Sequence, residues 1–349
     1  MPGHNQGRVG WVVMLVCVIA LIGVTVGLEV YAAWTGSGGP VAVPETFGNT
    51  AVKIDRLLQA AAPATAAFTF AVAGDIKSYG TFERFAERLR GEPLAFMTIL
   101  GDATGTGTPG YHAYLRREIA GEWRLPFPVF YVVGNHDISS TDYTLAQWEA
   151  DYGPSLFAFE FRDCLFIGLR TMDPPYPTAA SLAFLEATLK TKREHSRRTF
   201  VFLHSPPRIE GCHGNDGFVD DADFRDLCRT YKVDYVFGGD YHGYQRITEG
   251  PTVYQTIGTG GAHLRDPYLT AHLVLLVTVG PDRVQEQLVS SPPVVDIADV
   301  IEQAAVTDVY PFMHRHWIAM AAVNAVLAMA LGLAIRALIA RFRKQETAA

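Results

Sequence analysis

The sequence predicts an α/β domain held between two apolar helices. Five short apolar runs each stop at an Asp, Asn or His, amphipathic helical stretches lie between them, and both ends of the chain carry long stretches without a charged residue. Apolar runs of this length suit buried strands, and strands alternating with helices imply a sheet covered on both faces. With 49% hydrophobic residues the chain can fill a core. A net charge of −7, with no run of Lys or Arg in the middle of the chain, argues against a nucleic-acid partner, because phosphate backbones are bound by basic surfaces.

The first element, Val9 to Leu28, has no charge and is long enough to cross a bilayer as a helix. A cleaved signal peptide is the alternative, with "VYA" at Val30 to Ala32 as its cleavage site. The apolar run exceeds the usual signal core, which favours an uncleaved anchor. Thr35 to Thr50, rich in Gly and Pro, reads as a tether.

The strands follow. "FTFAVAG" ends at Asp75, "LAFMTILG" at Asp102, "PVFYVVG" at Asn135 and His136, "RTFVFL" at His204, and "VDYVFGG" at Asp240 and His242. Between them "TFERFAERLRG" spaces Phe82, Phe85 and Leu89 on one helical face before Gly91, and "SLAFLEATLK" does the same with Leu182, Leu185 and Leu189. Open α/β sheets bind ligands at the carboxyl ends of their strands, so these polar residues converge on one edge. One Asp after a strand is commonly a turn residue, as Gly-Gly-Asp before His242 would be. Five strand ends of ligand type point instead to a metal site. Oxygen and imidazole donors without thiolate suit manganese, iron or zinc in a catalytic centre.

Ser290 to Val300 reads as a second tether, and Trp317 to Ile335 as a second uncharged span. A buried core helix is the alternative there, and the basic flank argues against it. Arg8 before the first span and Arg336, Arg341, Arg343 and Lys344 after the second outweigh His314 and Arg315, so both termini are expected in the cytoplasm. The expected divisions are a cytoplasmic N-terminus at 1–8, a transmembrane helix at 9–33, a linker at 34–66, the folded domain at 67–281, a juxtamembrane segment at 282–316, a second transmembrane helix at 317–340 and a basic tail at 341–349. The domain then lies outside the cytoplasmic membrane. There Cys212 and Cys228 could form a bridge, with Cys164 left over and Cys17 in the first span.

"GNHD" at Gly134 to Asp137, "GD" at Gly101 and Asp102, "FLHSPP" around His204, "VDYVFGGDYHGYQR" and "TIGTGGAHL" occur in an order that resembles the calcineurin-like metallophosphoesterases, within them the forms similar to purple acid phosphatases. The resemblance covers about Phe68 to Val279. It implies two stacked mixed β-sheets flanked by helices. It implies that Asp102 bridges two metals, that Asp75 and His242 bind the first, and that Asn135, His204 and Asp240 bind the second. It makes His136 the general acid, with Asp137 orienting its ring, in an attack of metal-bound hydroxide on a phosphate ester. His213 and His263 fall in glycine-rich loops as substrate-contacting or solvated residues.

The sequence departs from that pattern in three places. Asp240 stands where His is usual, Lys77 stands where a His two residues after the first Asp is common, and Gly105 stands where purple acid phosphatases carry a Tyr. Lys77 cannot ligate while protonated, so one metal is expected to bind firmly and a second more weakly, with Lys77 paired to Asp75 or holding a phosphate oxygen. The expected function is a membrane-anchored phosphoesterase acting on a phosphate ester, with lipid-linked esters among its candidate substrates and the bilayer as its partner. The alternative is a metal-binding interaction module of the same fold with weakened catalysis.

Overall fold

In the computed structural model, which describes residues 3–37, 41–59, 66–77, 80–172, 177–210 and 217–346, the strands form two mixed sheets. In chain order they are β1 (Phe68–Ala73), β2 (Leu94–Ile99), β3 (Val129–Tyr131), β4 (Phe157–Phe161), β5 (Cys164–Gly168), β6 (Arg198–Phe202), β7 (Tyr235–Gly238), β8 (Tyr244–Glu249), β9 (Thr252–Ile257), β10 (His272–Val279) and β11 (Val284–Ser291). The first sheet runs β11-β10-β1-β2-β3 and the second β4-β5-β6-β7-β9-β8. β1, β2 and β3 are mutually parallel, as are β5, β6, β7 and β9, whereas β4, β8, β10 and β11 join their neighbours antiparallel.

Alternation along β1 shows why two sheets stack. Phe68, Phe70 and Val72 point into a core shared with Phe166, Phe200, Phe202 and Phe237 of the second sheet. Ala71 and Ala73 point the other way, into a layer filled by Phe82, Phe85 and Leu89. Phe70 stacks on Phe96 at 4.9 Å and meets Phe200 edge-on at 5.3 Å, the geometries that suit aromatic quadrupoles.

The helices, in chain order, are α1 (Gly3–Ser37), α2 (Ala51–Leu58), α3 (Thr81–Leu89), α4 (Pro109–Glu118), α5 (Leu145–Tyr152), α6 (Ala179–Lys192), α7 (Asp221–Thr230), α8 (Ile297–Ala304), α9 (Tyr310–Arg315) and α10 (Trp317–Glu346). α3 buries the three residues that its sequence spacing put on one face, and α6 buries Leu185 and Leu189 against the outer face of the second sheet. Thr144 caps α5 through a reciprocal box with Gln147.

The chain divides into two compact units, one of Met1–Pro40 with Ile301–Ala349 and one of Val41–Val300. The second is wider than 67–281 for two reasons. Phe47 is buried in the core while Asn49 bonds the backbone of Tyr131 and Pro154, and β11 adds a full strand to β10. Part of the second tether also has fixed partners, since Val294 exchanges hydrogen bonds with the Thr81 hydroxyl. Cys228 is buried on α7, and its expected partner Cys212 lies outside the described residues.

In the other unit, Val12–Gly36 and Trp317–Ala337 are long and apolar enough to cross a membrane, with mean hydropathy 2.6 and 2.3. Their side chains face outward: 11% of the first stretch and none of the second is buried, unlike a core helix. Asn324 Nδ2 donates to Glu29 Oε2 at 2.8 Å, satisfying a carboxylate within the first stretch.

Candidate metal centre

Strand ends from both sheets meet at one site. Asp75 follows β1, Asp102 follows β2 and Asp240 follows β7, each with a left-handed backbone at φ 53°, 54° and 64°. Asp accepts that conformation more readily than most residues because its short side chain bonds locally. The approach of the two sheets here requires glycine. A Cβ on Gly101, itself at φ 90°, would lie 2.5 Å from His204 Nδ1 and 2.9 Å from Gly134.

Each site histidine is fixed through Nδ1. His204 Nδ1 donates to the Leu100 carbonyl at 2.7 Å and His242 Nδ1 to the His263 carbonyl at 2.8 Å, so both rings turn Nε2 into the site. His204 Nε2 lies 2.9 Å from Asn135 Oδ1, 3.4 Å from Asp102 Oδ1 and 3.9 Å from Asp240 Oδ1. His242 Nε2 lies 3.2 Å from Asp75 Oδ1. Ligand atoms of Asp75, Asp102 and His242 all fall within 4.8 Å of one another. The side chains thus lie in two neighbouring groups, Asp75, Asp102 and His242 in one and Asn135, His204 and Asp240 beside Asp102 in the other.

The charges in the site favour a cation. Burial presses the His204 imidazole toward neutrality, yet the carboxylates of Asp102, Asp240 and Asp75 outweigh it and raise its pKa to about 9. Burial raises Asp102, but His204, Lys77 and His136 together bring it below its ordinary value. Asp75 Oδ1 is buried with no hydrogen-bond partner, while Asp75 Oδ2 accepts the Asp240 N–H at 2.9 Å. An orphaned carboxylate oxygen facing an imidazole nitrogen fits a divalent metal ligand set.

Two sequence expectations need correction. Lys77 pairs with Asp102 rather than Asp75, its Nζ 2.6 Å from Asp102 Oδ2. The turn after β1 carries Lys77 across to β2, since its backbone N–H already bonds the Asp102 carbonyl. Asp137 does not orient the His136 ring. Its fully buried carboxylate accepts N–H bonds from Gly134, Asp102 and Thr104 at 2.7, 2.8 and 3.1 Å, and so fastens the "GNHD" loop to the loop after β2. Burial, then the Asp102 charge, raises Asp137 to about 6. The His136 side chain is 46% exposed, with Nδ1 3.0 Å from the Gly105 carbonyl and Nε2 3.9 Å from Asp102 Oδ2.

Two supporting residues were missed. Ser205 Oγ donates to Asp240 Oδ2 at 3.0 Å. His112 on α4 holds the Asp137 carbonyl through Nε2 at 2.7 Å and faces the Tyr152 hydroxyl through Nδ1 at 2.9 Å. His112 sits on an apolar helical face outside any motif, so its only signal was a polar residue in a buried position. His263 offers the site its carbonyl while its side chain is exposed; His213 lies outside the described residues.

Comparison with known proteins supports this assignment at the level of family and fold. No curated protein matches the chain by sequence. A dimetal phosphatase from Danio rerio is similar in structure, with TM-score 0.52 and 14% identity over 68% of this chain and 98% of that one. A purple acid phosphatase from yellow lupin gives TM-score 0.50 and 16% identity over 69% of this chain and 56% of that one. GAP50, the anchor in the inner membrane complex of Plasmodium, gives 0.49 and 13% over 70% and 96%. Residues 68–244, half of the chain and the part that carries the clustered Asp and His residues, match the calcineurin-like phosphoesterases, and the chain belongs to that family.

Proposed function

We propose that this chain is a metal-dependent phosphoesterase anchored in the cytoplasmic membrane by both apolar helices, with its site on the extracytoplasmic side. The observation that carries the reading is the convergence of Asp75, Asp102, Asn135, His204, Asp240 and His242 from strand ends of two sheets. Asp75, Asp102 and His242 would hold one metal ion, and Asn135, His204, Asp240 and Asp102 another, with manganese, iron or zinc matching these donors. Bound there, such ions supply charge that polarises a phosphoryl oxygen and lowers the pKa of water.

The remaining work falls to the chain itself. In its doubly protonated form His136 gives Nδ1–H to the Gly105 carbonyl and carries a second proton on Nε2, which it hands to the departing oxygen to leave a neutral ring, from a position open enough for an ester to reach. Asp137 keeps the backbone of that loop in place. Lys77 sets a positive charge beside Asp102 and can hold a phosphate oxygen. Anchoring raises encounter with membrane-borne esters, so lipid-linked phosphates belong in the substrate panel beside soluble ones.

The test assays the full-length protein in detergent on aryl phosphate monoesters and diesters over a series of divalent metals. His136→Ala should keep its metal content and lose turnover by roughly 10²- to 10⁴-fold. His204→Ala should lose metal. Equal metal loss in both would refute the acid role of His136.

The Lys77 contact favours a second reading, a binding module in which an ammonium stands in for part of the first metal's charge. Metal stoichiometry separates the two. One firm metal in the wild type and a second gained in Lys77→His, with activity present, supports a working enzyme with a weak first site. Metal without turnover on any ester supports the module.

A further inference from the structure

A second group of carboxylates lies outside the Asp102 centre. Glu118 closes α4, Glu122 sits in the π-helical turn Ile119–Trp123 that continues it, and Asp299 lies near the start of α8. One carboxylate oxygen from each comes within 4.8 Å of the others. Residues four apart share one face along α4 and the turn that continues it, which is how Glu118 and Glu122 meet. Glu83 of α3 adds a fourth carboxylate, and Trp123 Nε1 donates to its Oε1 at 3.3 Å.

Several buried polar atoms here face one another and have no hydrogen-bond partner outside the cluster. Glu118 is 4% exposed, and its Oε2 is buried with no such partner. Tyr114, one helical turn earlier and 6% exposed, has its hydroxyl buried in the same condition, as does Glu83 Oε2. Among the described residues, no Lys or Arg lies within ion-pair distance of Glu83, Glu118 or Glu122. Buried carboxylates in mutual contact repel one another unless a cation or shared protons neutralise them. Beside the cluster a cavity of about 610 Å³ opens to solvent, lined by Glu83, Glu87, Glu122, Asp296 and Asp299 and also by Arg84, Arg90 and Arg124, so an ion has a way in past a rim of mixed charge.

We propose that Glu118, Glu122 and Asp299, with Glu83 and the Tyr114 hydroxyl beside them, form a site for a hard divalent cation, Ca²⁺ before Mg²⁺. The donors are all oxygens and four are carboxylates, which matches Ca²⁺ and excludes the thiol- and imidazole-preferring metals. An ion here ties the start of α8 to α3 and α4. The inference is independent of the phosphoesterase reading, because it uses none of the Asp102 ligands.

Trp123 supplies the test. Full-length protein in detergent, with the main centre disabled by Asp102→Asn, is titrated with Tb³⁺ while tryptophan is excited. Saturable Tb³⁺ emission displaced by Ca²⁺, weakened at least tenfold by Glu118→Gln with Asp299→Asn, supports the site. Emission that is absent, or that is the same in the double variant, overturns it. A second measurement covers failure to fold. Ca²⁺ should raise the Tm of the wild type and EDTA lower it, while the double variant folds with a Tm indifferent to both. A Ca²⁺ response retained by the double variant overturns the site.

Discussion

His112 is fully buried and stacks on Tyr143 at 3.7 Å, with both ring nitrogens in hydrogen bonds. Burial lowers its pKa to about 4 despite its bond to Asp137. In the unfolded chain the ordinary value of 6.5 applies, so the folded state binds its proton less readily. The stabilisation is complete above pH 6.5 and is lost as the pH falls through 4. The difference corresponds to about 3 kcal/mol. His112→Gln, which can keep the donor to Asp137, should therefore lose less stability than the wild type between pH 7 and pH 4, as read from urea midpoints. An equal loss in both proteins would remove His112 from the acid response. At this scale the candidate ligands were legible because each ends an apolar run. His112 and Ser205 were not, since a supporting residue is defined by the atom it touches in three dimensions.

At the scale of elements, buried parallel strands announce themselves by being apolar on both faces, and β1, β2, β6 and β7 did so. β8 and β11 escaped notice because they are sheet edges whose residues are mostly exposed or half-buried, so their sequences read as polar. The β4–β5 hairpin also went unseen. Its connection, Arg162 and Asp163, takes φ 45° and 54° without the glycine that usually marks such a turn. The close approach of β2 to β6 makes a sharper claim. Gly101→Ala should cost about 1–3 kcal/mol through its backbone angle alone, and the added methyl should displace His204 and reduce metal content. Gly91→Ala meets only the Arg88 carbonyl at 3.6 Å and should change neither. Equal metal content in the two variants would show that the crowding at Gly101 has no bearing on the site.

For the whole molecule, the basic residues outside the two apolar stretches predict the sidedness. Reporters fused at either terminus should be cytoplasmic, and one fused after Val43 in a truncated chain should be outside; a cytoplasmic signal at Val43 would reverse the topology. If the domain is outside, it folds where thiols are readily oxidised. Cys164 and Cys228 are buried, and burial raises both thiols, Cys164 to about 12. Thiolate is the reactive form, so neither offers an oxidant much to attack in the folded state. Their exposure is confined to the time before the core closes. The hazard to this protein in an oxidising compartment is therefore one of timing. Slow folding would let wrong cross-links form, and a redox catalyst would matter during export and lose its relevance once β5 and α7 are packed.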